Sequence, residues 1–290
     1  MNAAPNTVLS AAGVSMPRIL YGTAWKQERT QELVELAIAQ GFRGIDTACQ
    51  PKHYHEAGVG AAIAAACARS EIERRDLYLQ TKFTPLNGHD PLRIPYDANA
   101  GLAEQVAQSF ATSLDNLQTD YLDGLILHSP LADRKQTLEA WRALEALVAQ
   151  GDVKQLGISN CYEPELLEYL HQTAQVKPAV VQNRFYAQTG YDQAIRAFCR
   201  RHGIVYQSFW TLTANPHVLK HALLVSLGER YGVIPAQIFF RCLTQLGIVP
   251  LTGTSSPQHM QQDLAIFGFE LSASECAEIE ALLLATTDQS

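Results

Sequence analysis

A chain of 290 residues with 47% hydrophobic and 18% charged residues can bury a sizeable core, and no stretch reaches the ~18 apolar residues of a membrane span. The formal net charge of −7, without a cluster of Lys and Arg, argues against nucleic acid as the main partner. The six cysteines form no CxxC pair and no signal-peptide pattern opens the chain, so we expect a cytoplasmic protein with reduced thiols.

Short apolar segments of strand length alternate with segments of helical period along the whole chain. In the helical segments apolar residues recur every three or four positions, as at Leu138, Trp141, Leu144 and Val148. Eight strand–helix alternations without a break in composition predict one domain over residues 1–290, folded as a (β/α)8 TIM barrel. The strand candidates are 19–21, 44–46, 77–79, 122–127, 153–158, 180–181, 204–209 and 248–251.

Two segments fall outside the eight repeats. Residues 8–17 alternate in polarity around Gly13 and predict a β-hairpin that plugs the bottom of the barrel. Residues 84–100 hold three prolines and predict a long loop after the third strand. Loops on that side of a barrel commonly grip the substrate, so we expect this one, with Trp25 and the loop 210–216, to select it.

Polar side chains stand at the ends of three successive predicted strands. Asp46, Lys82 and His128 each follow an apolar segment, where a buried strand residue would itself be apolar. The carboxyl ends of barrel strands meet at the active site. A single lysine at such a place would usually be a surface residue, but Asp, Lys and His at three neighbouring strand ends predict a catalytic group.

Several segments resemble, in order and spacing, the signatures of the aldo-keto reductase family. They are Gly22-Thr23, residues 41–48, Thr81-Lys82, residues 127–130 and residues 156–160. The resemblance extends from about residue 8 to residue 284. It implies an NAD(P)(H)-dependent oxidoreductase that transfers a hydride between nicotinamide and a small carbonyl or alcohol substrate. It implies NADP(H) as the cofactor, with NAD(H) as the alternative, and a monomer or homodimer.

The resemblance also implies roles for the strand-end residues. Asp46 would hold Lys82, and the charge of Lys82 would lower the pKa of a tyrosine that protonates the substrate oxygen. His128 would orient the carbonyl group through a hydrogen bond. These roles suit hydride transfer, because the carbonyl oxygen must be protonated as negative charge develops on it.

The tyrosine is the point at which the sequence departs from the family. Family members carry it about five residues after the aspartate, where this chain has Pro51. Counting back from Val59 places His53 at the tyrosine position, with Tyr54 beside it. We expect Tyr54 to be the acid. His53 is the alternative, because an imidazolium also donates protons near neutral pH. The third possibility is that both residues only line the pocket.

Cofactor contacts follow from the same resemblance. Ser159, Asn160 and Gln182 match the positions that hydrogen-bond the nicotinamide carboxamide, and Phe209 matches the aromatic residue that stacks on the ring. The expected set of cofactor contacts is Gly22, Thr23, Asp46, Ser159, Asn160, Gln182, Phe209, Trp210, Leu212, Leu251, Thr252, Gly253, Ser255, His259 and Asp263.

Residues 251–263 resemble the segment that binds the pyrophosphate and the adenosine phosphate. Gly253 allows the ligand to approach the backbone, and a helix N-terminus after it offers free amide groups. However, Leu251 stands where a lysine is often found, His259 replaces the usual arginine, and Asp263 replaces an asparagine. A 2′-phosphate therefore lacks its expected cations.

Two other classes of protein stay open at this stage. The shifted tyrosine allows a nucleotide-binding, weakly catalytic partner or regulatory protein on the same barrel. A metal-dependent hydrolase is the second, because His53 and His55 form an HxH pair. Later strand ends carry none of the further histidines and aspartate that such hydrolases use, so we expect no metal site.

Overall fold

Strands and helices alternate along the chain in the computed structural model, which describes residues 6–287. Two short strands come first, β1 (Thr7–Leu9) and β2 (Ser15–Pro17). The strands that follow are β3 Leu20–Gly22, β4 Gly44–Asp46, β5 Tyr78–Phe83, β6 Gly124–Leu127, β7 Leu156–Ser159, β8 Val180–Arg184, β9 Val205–Phe209 and β10 Ile248–Thr252. The helices are α1 Thr30–Gln40, α2 Glu56–Ala68, α3 Leu102–Leu117, α4 Arg134–Gln150, α5 Pro164–Thr173, α6 Gln193–His202, α7 Pro216–Leu219, α8 Ala222–Tyr231, α9 Pro235–Gln245, α10 Pro257–Leu264 and α11 Ala273–Thr287.

Strands β3 to β10 form a closed parallel barrel in chain order, with β10 pairing β3. Both faces of these strands are buried, which explains why the sequence reads as short continuous apolar segments. Ile45, Leu79 and Leu125 pack outward among the helices, whereas Ile126 and Val180 belong to a separate cluster inside the barrel. The predicted (β/α)8 barrel is confirmed.

The predicted N-terminal hairpin is confirmed as well. Strands β1 and β2 pair antiparallel, with Val8 opposite Met16. Met16 is fully buried in the apolar cluster inside the barrel, and Ser10 Oγ donates a hydrogen bond of 2.6 Å to Gln155 Oε1. The hairpin therefore closes the end of the barrel opposite the carboxyl ends of the strands.

The strand bounds differ from the predicted ones where polar residues face the barrel interior. The prediction for the third barrel strand ended at residue 79, but β5 continues to Phe83. Gln80 and Lys82 are buried inside the barrel and break the apolar pattern without ending the strand. At the other end of two predicted strands, Leu122 and Val153 form only an isolated bridge with each other.

Residues 216–245 fold as three helices between β9 and β10, where a simple alternation needs one. The sequence analysis described this region only through the loop 210–216. The proline at the start of α7 and the proline at the start of α9 both suit a first helical position, where no amide donor is needed. Among the helices described, none combines the length and apolar character that crossing a membrane would require.

Candidate active site

A cavity of about 640 Å³ opens at the carboxyl ends of the barrel strands. Of the residues that the sequence predicts for the site, all line this cavity except Lys82, Thr23 and Ser255. Lys82 lies directly behind Asp46, which does line it. Other described residues that were not predicted also line the cavity. Ala24 follows β3 and Arg184 ends β8. The region of α9 contributes Ile234, Ala236 and Phe240.

Asp46 and Lys82 form a buried ion pair at the floor of the cavity, 2% and 1% exposed. Lys82 Nζ donates to both Asp46 carboxylate oxygens, at 2.8 and 2.7 Å, and to the carbonyl oxygen of Thr47 at 2.7 Å. All three ammonium protons are therefore used within the protein. Burial lowers the pKa of Lys82, and the negative charge of Asp46 opposes that shift.

A layer of glutamine side chains fixes the Asp46 carboxylate from below. Gln80 Nε2 donates to Asp46 Oδ1 at 2.6 Å, and Gln182 Nε2 donates to the same oxygen at 2.9 Å. Both glutamines also donate to Gln207 Oε1, at 2.8 and 2.9 Å. Because a buried ion pair is stable only when its remaining polar atoms are satisfied, this layer holds Asp46 and Lys82 in one geometry.

His128 is held by the segment that follows β5. The hydroxyl oxygen of Thr84 lies 2.7 Å from His128 Nδ1, which leaves Nε2 of the ring for the cavity. Burial, with the positive charge of Lys82, lowers the pKa of His128 well below 6.5. The imidazole is therefore neutral at physiological pH and can act as a hydrogen-bond donor rather than as a charge.

The loop 84–100 is tied to the same threonine. The carbonyl oxygen of Thr84 accepts hydrogen bonds from the Tyr96 hydroxyl at 2.7 Å and from His89 Nε2 at 3.0 Å. No residue of 84–100 is among those that line the cavity. The loop thus reaches the site through Thr84 and His128, and direct contact with the substrate stays a prediction.

Tyr54 and His53 both line the cavity, but their rings contact different neighbours. The ring centroid of Tyr54 lies 5.1 Å from Lys82 Nζ and 5.9 Å from that of His128, in an edge-on arrangement. The His53 ring instead stacks on Trp25, with centroids 3.9 Å apart, and its carbonyl oxygen accepts a hydrogen bond from the Trp25 amide. Tyr54 is therefore the candidate acid that contacts the other predicted catalytic residues.

The expectation that Lys82 lowers the pKa of Tyr54 is wrong for this structure. Burial raises the pKa of Tyr54 above its usual value of 10, and the negative charge of Asp46 adds to the rise. Asp46 pairs with Lys82, and its negative charge acts on the phenol in the direction opposite to the ammonium charge. Burial, with Lys52 and Arg93, lowers the pKa of His53 below 6.5, so His53 is mostly neutral at pH 7.

The residues expected to contact the nicotinamide carboxamide come together at the ends of β7 and β8. Ser159 Oγ donates to the carbonyl oxygen of Gln182 at 2.6 Å, and Asn160 Nδ2 donates to the carbonyl oxygen of His128 at 2.8 Å. The φ angle of Asn160 is +52°, a left-handed conformation that asparagine tolerates better than most residues. Phe209 lies on the neighbouring strand and also lines the cavity.

The segment after β10 has the features of a phosphate-binding loop. Gly253 lines the cavity, and a Cβ atom there would meet only ordinary van der Waals contacts, 3.7 Å from the carbonyl oxygen of Gly22. Helix α10 follows this loop, and the backbone amide of His259 in its first turn donates a hydrogen bond of 3.3 Å to Ser256 Oγ. Asp263 accepts a hydrogen bond of 2.6 Å from Thr252 Oγ1, and burial raises the pKa of Asp263 to about 6.

Lys26 is a cation of this region that the sequence analysis missed. Its ammonium donates to the carbonyl oxygen of Gly253 at 2.8 Å and lies 4.9 Å from the ring centroid of Tyr21. Burial lowers the pKa of Lys26 to about 8, and the charge of Arg29 adds to that shift. Its position could have identified it, because Lys26 lies four residues after Gly22, on the segment that follows the first barrel strand.

The donors of the cavity suit a dinucleotide. Amide side chains at one end match a carboxamide, and a glycine, a helix N-terminus and a nearby ammonium at the other end match a diphosphate. Among the side chains of residues 6–285, no three His, Cys, Asp or Glu come together as a group that could hold a metal ion.

Comparison with known proteins agrees with this arrangement. Residues 18–220 match the model of the aldo/keto reductase family. The chain is 32% identical to the uncharacterized oxidoreductase YtbE and 30% identical to glyoxal reductase, both of Bacillus subtilis strain 168. These matches cover 93% and 96% of this chain and 90% and 92% of the relatives. The crystal structure of an aldo/keto reductase from Brucella melitensis superposes with a TM-score of 0.82 at 28% identity, over 97% of this chain and 99% of that one.

The match of the family model spans well over half of the chain, and the relatives align along nearly all of it. The barrel, the N-terminal hairpin and the cavity at the carboxyl ends of the strands are the corresponding structural features. The chain therefore belongs to the aldo/keto reductase family and is an NAD(P)(H)-dependent oxidoreductase of small carbonyl or alcohol substrates.

Proposed function

We propose that the protein reduces an aldehyde or ketone with NADPH, and that Tyr54, Lys82, Asp46 and His128 are its catalytic group. The observation that carries the proposal is the position of Tyr54, whose ring lies against both Lys82 and His128 at the cavity floor. The relative named glyoxal reductase makes small dicarbonyl compounds the first substrates to test.

The roles of the residues follow from their protonation states. Bound NADPH supplies the hydride for the carbonyl carbon. With the Thr84 hydroxyl donating to Nδ1 of the neutral His128 ring, Nε2 carries the proton and can donate to the carbonyl oxygen. Tyr54 stays protonated at physiological pH because its pKa is raised, so its phenol can transfer a proton to the oxygen as charge develops. Lys82 then stabilises the phenolate that remains.

The same proposal assigns the cofactor contacts. Ser159, Asn160 and Gln182 would hold the carboxamide, Phe209 would stack on the ring, and the loop around Gly253 would receive the diphosphate. The direct test follows the absorbance of NADPH with glyoxal and with benzaldehyde as substrates. Absence of turnover with both, combined with intact NADPH binding, would favour the weakly catalytic partner protein.

The preference for NADPH over NADH should be weak, about tenfold, which corresponds to ~1.4 kcal/mol. His259 is exposed and residues 251–263 contain no Lys or Arg, so this segment offers no guanidinium to a 2′-phosphate. Dissociation constants for both nucleotides at one salt concentration measure the preference.

His259→Arg is the matched gain-of-function variant and should raise that preference to ~10²-fold, because charged hydrogen bonds to a phosphate contribute about 1.5–3 kcal/mol. A thousandfold preference in the unmodified protein would contradict the expectation. It would mean that a basic residue such as Arg241 or Lys220, neither of which lines the cavity, moves in when the nucleotide binds.

The affinity for NADPH should fall as the pH rises from 7 to 9, by up to ~10-fold. Lys26, with a pKa of about 8, is mostly protonated at pH 7 and mostly neutral at pH 9, so its attraction for the diphosphate is lost in that interval. Fluorescence titration of NADPH across this range measures the change. Lys26→Gln should bind more weakly at pH 7 and show a flat profile, whereas Lys135→Gln, which changes an exposed lysine outside this cavity, should behave as the unmodified protein. A steep profile in Lys26→Gln would assign the titration to another group.

We also propose a cytoplasmic monomer or homodimer. All six cysteines are free and five of them are buried, which supports a reducing compartment. Size-exclusion chromatography with light scattering would give the oligomeric state, and a tetramer would contradict it.

A further inference from the structure

Arg184 is the only Lys or Arg among the described residues that line the cavity. Its Nε is buried and has no hydrogen-bond acceptor within residues 6–287, and none of the ion pairs there includes its guanidinium. Asp46, on the floor of the cavity, is already neutralised by Lys82. Arg184 thus brings to the cavity a positive charge that has no ion-pair partner among residues 6–287.

The strand geometry aims Arg184 at the space above the nicotinamide-binding residues. Residues 180, 182 and 184 of β8 alternate onto the inner face of the barrel, so Arg184 lies one step beyond Gln182 toward the cavity mouth. It pairs in register with Phe209 on β9. The tyrosine hydroxyl of Tyr162 accepts a hydrogen bond of 3.2 Å from the Arg184 amide, which fixes the backbone at that point.

Two aromatic rings hold the guanidinium. Its central carbon lies 4.1 Å from the ring centroid of Trp210 and 5.3 Å from that of Tyr186. Aromatic rings stabilise the faces of a guanidinium but accept no hydrogen bonds from its edge. The N–H groups along that edge have no acceptor among residues 6–287, and a planar carboxylate is the group whose two oxygens match them.

The position separates this cation from the diphosphate loop. Gly253 and the ammonium of Lys26 lie at the end of β10, and β9 stands between β10 and the strand of Arg184. We propose that Arg184 is a specificity-determining residue that binds the carboxylate of an aldehyde or ketone substrate, an inference that rests on the proposed reduction. The preferred substrates are then oxo acids rather than neutral carbonyl compounds.

The test compares two aldehydes of nearly the same shape, para-formylbenzoate and its methyl ester. The unmodified protein should show a kcat/KM at least ~10-fold higher for the acid, because the acid alone gains a charge-assisted hydrogen bond. Arg184→Gln should lose this preference through a higher KM for the acid, with kcat/KM for the ester and the dissociation constant of NADPH unchanged. Arg184→Lys should recover part of it. Arg75→Gln removes an exposed, ion-paired arginine outside the cavity and is the matched control.

A binding measurement separates this inference from the reaction itself. Calorimetric titration of the protein saturated with NADP⁺ uses para-(hydroxymethyl)benzoate and its methyl ester, and it needs no turnover. Tighter binding of the acid that Arg184→Gln abolishes supports the inference even if no aldehyde is reduced, which would refute the proposed function alone. Equal binding of acid and ester overturns it. So does an Arg184→Gln variant that weakens NADPH, since the guanidinium would then serve the nucleotide.

Discussion

Replacing Lys82 by Met is expected to lower turnover by ~10²-fold or more while the affinity for NADPH stays nearly unchanged. Lys82 Nζ uses its three protons on Asp46 and Thr47, and its charge lies 5.1 Å from the ring centroid of Tyr54. A phenolate forming at Tyr54 is stabilised by that charge, and a thioether offers none. Steady-state rates with a saturating aldehyde, and fluorescence titration with NADPH, measure the two quantities.

The same substitution leaves the Asp46 carboxylate buried without its cation, which can cost about 3–5 kcal/mol of folding free energy. The double variant Lys82→Met with Asp46→Asn removes both charges and controls for this loss of stability. It should unfold at a higher temperature than the single variant and remain as inactive. Near-normal turnover in either folded variant would remove Lys82 from the mechanism.

The barrel could be predicted because burial on both strand faces leaves a strong apolar pattern. Strand β6, Gly124–Leu127, is entirely buried and reads as a continuous apolar run. Strand β5 was predicted four residues too short at its carboxyl end, since Gln80 and Lys82 are polar yet face the interior. Polar residues at the carboxyl end of a strand thus indicate the site, but they also break the apolar pattern from which the strand is predicted.

The sequence could predict which residues line the cavity, but not the direction in which burial and neighbouring charges shift their pKa values. The sequence predicts Lys82 near a phenol and hence a lowered pKa, whereas the direction depends on how fully Asp46 balances the lysine and how deeply Tyr54 is buried. The sequence could have predicted that Arg184 lines the cavity, because it lies two residues after Gln182 on the same strand face. Its proposed role depends on the lack of an ion-pair partner among residues 6–287, which only the packing reveals.

The structure favours Tyr54 over His53 as the acid, so Tyr54→Phe is expected to lower turnover by ~10²-fold or more. The change removes one oxygen and little volume, and the Phe ring can keep its place beside Lys82 and His128. His53→Ala should have a smaller effect, mainly on KM, because its ring packs against Trp25 at the cavity wall. Rates of both variants with one aldehyde, compared with the unmodified protein, measure the difference.

The pH profile of turnover distinguishes the two acids independently of any substitution. A general acid works in its protonated form, so activity is lost as the pH rises through its pKa. The pKa of His53 lies below 6.5, so a histidine acid would already be failing at pH 7, whereas the pKa of Tyr54 lies above 10 and predicts no loss between pH 6 and 9. If Tyr54→Phe is nearly normal, His53→Ala is inactive and activity falls from pH 6 upward, then the family register counted from Val59 identifies the acid. If neither substitution changes turnover, proton transfer is not catalysed by this pair, and the weakly catalytic partner protein becomes the better account of the chain.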